Sequence, residues 1–179
     1  MIQRLLRSLP FLLLALPGAA AADRDVRIGL PGHGALYLRM PDGWEERISR
    51  PKPNEPPVIL VTPASGTPFR IMISPVWPTA PEDKLPDADA IRAMMQSGAK
   101  AARDMAVEAE IPMQDLKGMG SVGTYFSVTD RNPTGDFKNL TQGLARVGEI
   151  VVAFRIFSNG ERGLVLEPAL KMFRTMRNG

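Results

Sequence analysis

The sequence predicts an α+β fold: one domain built on a central, mostly antiparallel β-sheet with helices flanking both faces, an α/β/α sandwich. Three observations predict it. Short strand-like runs come in clusters, four before residue 88 and three or four between residues 110 and 158, instead of alternating singly with helices. Only two stretches, 88–108 and 164–177, carry a helical period. One run, EIVVAFRIFS (149–158), is apolar on both sides, with Ile150, Val152, Phe154 and Ile156 on one and Val151, Ala153 and Phe157 on the other. That pattern suits a central strand covered from both faces.

Each element has its own local signal. Residues 23–34, DRDVRIGLPGHG, read as a loose lead-in. ALYLRM (35–40) and WEERIS (44–49) are strands joined by the turn PDG. RPKPNEPP (50–57) is a proline-rich connection, followed by the strands PVILVTPA (57–64) and FRIMIS (69–74) around the turn SGTP. PVWPTAPEDKLPD (75–87) contains prolines at 75, 78, 81 and 86, and proline's missing N–H predicts a stiff loop outside the sheet ladder. The first helix is expected over 88–108, with Asp87 and Asp89 at its positive end and Ile91, Met95, Ala102 and Met105 on its apolar side. EIPMQDLKG (110–118) is a weak edge strand, with Pro112 at its margin. TYFSVTD (124–130) is a strand, and NLTQGLARV (139–147) pairs with 149–158 through a tight turn at Gly148. The last helix, 164–177, has Pro168 either at its first position or as a kink.

The first residues set the location. Arg4 and Arg7 precede an apolar run from Leu9 to Leu16, and Ala19–Ala22 precede the charged Asp23. Basic end, short apolar core and small residues form the layout of a secretory signal peptide, cleaved after Ala22 or after Ala21. The run is too short and too broken by proline and glycine for a membrane-spanning helix, and no later run is long enough. The expected organisation is a signal peptide over 1–22 and a single domain over 23–179, exported to a bacterial periplasm or secreted. The chain has no cysteine, so disulfides, thiolate metal sites and a lipidated cysteine are excluded. The formal charge of +3 falls to nearly zero once Arg4 and Arg7 are removed. Basic residues are scattered among acidic ones, with no nucleic-acid footprint.

No motif points to catalysis or a cofactor. GMGSVG (118–123) spells the glycine pattern of nucleotide loops, but TYFSVT follows it where a dinucleotide fold needs a helix. The kinase version would need V-A-I-K, H-R-D and D-F-G, all absent. The motif therefore reads as a glycine-rich turn between strands. His33 is the single histidine, and neither Ser65 nor Ser121 has the flanks of a nucleophile elbow. One histidine without cysteine does not make a closed zinc site. Ten methionines could suggest a thioether copper site, but Met94, Met95, Met105, Met172 and Met176 sit in helical stretches, where core packing explains them. Asn139-Leu140-Thr141 is a glycosylation sequon, relevant only in a glycosylating host.

Two features remain. Trp77, in the proline-rich loop, is either an exposed anchor for a partner protein or an indole folded back over the sheet. Arg39, Arg70, Arg146 and Arg155 lie within strands. They are either separate surface cations or, if several share a face, an anion-binding groove.

Pro41, Asp42, Gly43 and Trp44, between the strands LYLRM and EERIS, resemble the P-x-G-W turn near the start of PsbP-like domains. The later order of helix, long hairpin and final helix is similar too. The resemblance implies that family's central antiparallel sheet with helices on both sides, over nearly the whole exported chain. It also implies a binding or accessory module, since no catalytic motif comes with the fold. The leading expectation is thus an exported, non-catalytic protein that binds another envelope protein. The alternative is a small envelope enzyme or carrier that holds an anionic ligand through the strand arginines.

Overall fold

The computed structural model describes residues 22–179, save 51, 53, 54, 79 and 81–83. The body of the expected signal peptide, the alternative cut after Ala21 and part of the proline-rich loop lie outside the described residues. The rest is a mixed α+β domain of ten strands in antiparallel sheets and two helices.

The chain begins with β1 (Arg24–Gly29), β2 (Ala35–Met40), β3 (Trp44–Ser49), β4 (Val58–Pro63) and β5 (Phe69–Val76). Helix α1 (Ala88–Ala102) follows, then β6 (Gln114–Lys117), β7 (Ser121–Thr129), β8 (Asn139–Val147) and β9 (Ile150–Ser158). Helix α2 (Gly163–Arg174) and a short β10 (Arg177–Asn178) complete it. The main sheet runs β3-β4-β5-β9-β8-β7-β6, and a smaller sheet runs β1-β2-β10. The two-sided apolar strand β9 takes the middle place of the main sheet, and β6 takes one edge, as their sequences require. The β8–β9 turn closes on Gly148, whose φ of +60° suits a tight hairpin that a residue with a Cβ resists.

The main core lies between one face of the large sheet and the small sheet with α2. Ile71, Ile73, Phe154 and Ile156 meet Leu36, Leu38 and Phe173 there, and the Phe154 and Phe173 rings stack at 4.2 Å. Helix α1 instead packs on β7 and β8, where Met95 and Ala99 bury Phe126 and Val128 in a separate cluster. The open strip of that side, over β4, β5 and β9, shows half-buried Leu60, Met72 and Phe157 and exposed Arg70 and Arg155. The domain is mostly sheet, and the expected helical cover reduces to α1 over one end and α2 within the main core.

Four local expectations need correction. The lead-in is strand β1: Val26 and Ile28 pair with Leu38 and Leu36 and turn into the core, a two-residue alternation too short to stand out in sequence. Pro75 does join the ladder, opposite Val152. It can because β4 pairs only with Ile71–Ile73, so one flank of β5 is already a sheet margin there. Helix α1 stops at Ala102, not Glu108, because the following residues are drawn onto β7, with the Val107 N–H donating to the Thr129 carbonyl at 2.8 Å. Helix α2 stops at Arg174, with Pro168 inside it, and the chain then extends along β2 as β10.

The start of α1 is set locally. Asp87 has extended backbone, and its carboxylate accepts from the Ala90 N–H at 2.8 Å. Asp87→Ala is expected to cost about 1 kcal/mol of stability, the usual value of an N-cap, measured by urea unfolding at neutral pH.

Candidate functional site

A groove of about 590 Å³ opens on one end of the domain. It forms where the β2–β3 turn, the β4–β5 turn and the first turns of α2 come together. Gly43, at φ +73°, lets the chain reverse directly into Trp44. The Trp44 ring then lies 4.5 Å from that of Phe69. These aromatics, with Pro41, Pro63 and Pro168, line an apolar groove, and Asp42 and Glu161 bring negative charge to it. Leu164, on the first turn of α2, is 69% exposed at the same place. The lining supplies shape and apolar area, with an exposed leucine beside two aromatic rings.

Trp77 is half-buried. It packs against the main core, and its ring stacks on His33 at 4.5 Å. The single histidine is thereby engaged. Ser121 is buried, with its hydroxyl 3.5 Å from the Phe173 carbonyl oxygen that it faces as donor, while Ser65 lines the Trp44 groove. These three side chains therefore have separate surroundings. Asn139 of the sequon is also buried, its amide donating to the Gly160 carbonyl at 3.1 Å.

The strand arginines divide. By register Arg70, Arg155 and Arg146 stand on one face of the main sheet, on β5, β9 and β8. They occupy different rows: Arg70 is opposite Phe157, Arg155 opposite Met72 and Gln142, and Arg146 opposite Val151. Arg70 lies over the Phe137 ring at 5.6 Å, and Arg146 Nε donates to the Gly148 carbonyl at 3.4 Å. Arg39 belongs to the small sheet and ion-pairs with Asp25 at 3.4 Å. Its companions are Arg27 and Arg177, neither of them singled out by the sequence, because Arg27 lay in the lead-in and Arg177 at a helix end.

GMGSVG spans the β6–β7 turn at 118–120 and the first three residues of β7, which starts at Ser121 and not at Thr124. Its glycines serve close packing. A Cβ on Gly118 would fall 2.2 Å from the Arg174 carbonyl oxygen at the end of α2, and one on Gly123 would fall 2.3 Å from that of Leu144. The Met119 N–H donates to the same Arg174 carbonyl at 3.1 Å, which ties the turn to the helix.

A polar clasp holds the end of the α1 segment to β7 and α2. The Glu108 carboxylate accepts from the Thr129 N–H (2.8 Å), the Thr129 hydroxyl (2.9 Å) and Arg162 Nη2 (2.8 Å), and Arg162 also donates to the Thr129 hydroxyl (2.6 Å). Partial burial would raise the pKa of Glu108, but these donors outweigh it and hold the carboxyl at about 2. The sequence does not reveal this cluster, because Glu108 is expected at the end of a helix and Arg162 lies 54 positions further along the chain.

No protein-family model matches the chain, and no curated protein does. Among solved structures it is similar to cyanobacterial PsbP (CyanoP) from Synechocystis sp. PCC 6803, with a TM-score of 0.50 and 14% identity. That likeness covers 93% of this chain and 99% of the other. At this identity the likeness concerns architecture alone, and it extends over the whole domain: the chain has a PsbP-like fold.

Proposed function

We propose that this protein is an exported, non-catalytic accessory protein of the bacterial envelope, which holds a partner protein in the groove beside Trp44. The observation that carries the reading is that the Pro41–Trp44 turn, the stretch that resembles PsbP-like domains, lines an apolar groove next to an exposed Leu164. A PsbP-like fold suggests an accessory role. Among the described residues no helix is long and apolar enough to cross a membrane. On this reading α1 and α2 flank the main sheet from opposite sides, the sandwich expected from sequence, and the groove opens where the α2 side meets the turns.

The test is crosslinking in intact cells of the native host, with tagged full-length protein and identification of captured proteins by mass spectrometry. Leu164→Arg places a charge in the groove without touching the core and is expected to abolish capture of one dominant partner. Trp77→Ala runs beside it. Loss of the partner with Trp77→Ala alone would move the interface to the proline-rich loop. Capture of nothing above background by the unaltered protein would overturn the reading.

A further inference from the structure

The small sheet presents one face to the core and one away from it. On β2, Leu36 and Leu38 are buried, while Tyr37 is half-buried and Arg39 exposed. The neighbours in register on that outer face are Arg27 and Asp25 of β1 and Arg177 of β10. The result is a row across three strands, Arg27–Tyr37–Arg177. The two guanidinium carbons lie 5.9 and 4.8 Å from the Tyr37 ring centroid. Arg27 Nε also donates to the phenol oxygen at 3.3 Å. Arg39 stands one step along the same face, and with Thr175 and Met119 these groups surround a hollow of about 540 Å³.

Three guanidiniums thus share one hollow with one carboxylate, and that carboxylate is committed to Arg39. Among the described residues no ion pair involves Arg27 or Arg177. Like charges gathered this way repel. The negative face of Tyr37 relieves part of the repulsion and fixes where the planar groups stand. A multiply charged oxyanion would relieve more, because guanidinium forks match phosphate oxygens in pairs. Met119, 93% exposed on the β6–β7 turn, adds an apolar group at the same hollow, where the organic part of such a ligand would rest.

We propose that Arg27, Arg39 and Arg177, arranged around Tyr37, form a binding site for a phosphate group, carried by a soluble compound or by a lipid headgroup. The site uses no residue of the Trp44 groove and stands or falls separately from partner binding there. It also differs from the four-arginine groove that the sequence offered as an alternative, sharing only Arg39 with it.

The test titrates purified protein with inorganic pyrophosphate at low salt and follows the backbone amides of residues 27, 37, 39 and 177 by NMR. In parallel, the protein is sedimented with phosphatidylglycerol vesicles, with phosphatidylcholine vesicles as the blank. The expected result is saturable shifts at those amides, or co-sedimentation with the anionic vesicles only. Either is expected to weaken about tenfold or more in Arg27→Gln/Arg177→Gln and on adding salt, and to be unchanged in Arg70→Gln/Arg155→Gln. Arg39→Gln, which touches neither ring contact, is an independent second variant with the same expected direction. Pyrophosphate binding alone assigns the site to a soluble phosphate compound, and vesicle binding assigns it to a lipid headgroup. Absence of both, or binding that survives the two sets of substitutions, would overturn the proposal.

Discussion

Gly143→Ala is expected to destabilise the protein by about 2–4 kcal/mol, although it adds a single methyl group. A Cβ at this position would fall 2.2 Å from Phe154 Cζ and within 2.8 Å of both Cε atoms. Phe154 is the register partner of Gly143, and its ring covers the space a side chain would occupy. The ring cannot withdraw, because Phe173 of α2 is stacked on it at 4.2 Å and both are buried. Overpacking of this kind costs about 1–3 kcal/mol, and a disturbed aromatic stack adds about 0.5–1.5 kcal/mol. Urea unfolding at neutral pH measures the loss. Gly143→Ala/Phe154→Leu should recover part of it relative to the sum of the single substitutions, since the smaller side chain vacates the contested space. A loss below about 0.5 kcal/mol for Gly143→Ala would mean the β8–β9–α2 contact is loose.

The second large effect is a stability that depends on acid. Folding holds the Glu108 carboxyl at about 2, against an ordinary value of 4.5, so the folded state favours the ionised form. This stabilisation is fully present above pH 4.5 and is lost as pH falls toward 2. The full shift corresponds to about 3 kcal/mol. Solvent reaches both partners, which retain 28% and 29% exposure, and reduces this to about 1–2 kcal/mol. Glu108→Gln is therefore expected to lower stability by about that amount at pH 7 and to flatten the dependence between pH 4.5 and 2. Chemical unfolding across pH 2–7 for both proteins checks it. Parallel curves for the two would show that Glu108 titrates alike in the folded and unfolded chain.

Much of the fold could be read locally. Strands β2, β3, β4, β8 and β9 were found within a residue or so of their ends. In each, a short run rich in apolar residues is bounded by turn residues, a signal contained within a few positions. The middle place of β9 was legible for a related reason, since a strand apolar on both faces has no stable edge position. The Pro41–Trp44 turn, too, carried its own signal, because proline, aspartate and glycine suit a reversal before a strand.

The candidate sites were less legible. Arg39 was noticed, yet its companions Arg27 and Arg177 sit near opposite ends of the chain and meet only through pairing with β2. Leu164 looked like one more apolar residue of a helix, and only the meeting of α2 with two turns leaves it beside Trp44 and Phe69. Trp77 could be read two ways from its loop, and its stack on His33 depends on where the Leu30–Gly34 turn lies.

Sequence by itself determined the α+β class, the antiparallel hairpins, the acidic start of α1, the absence of thiol chemistry and the glycine-rich turn before β7, because each follows from composition or from bonding rules that act over a few residues. Tertiary structure decided that α1 ends at Ala102, that the lead-in and the last residues become β1 and β10, and that Arg27, Tyr37 and Arg177 form one row. Those outcomes rest on backbone and side-chain partners distant in the chain, and the free energy of satisfying them overrides the local preference of the segments involved.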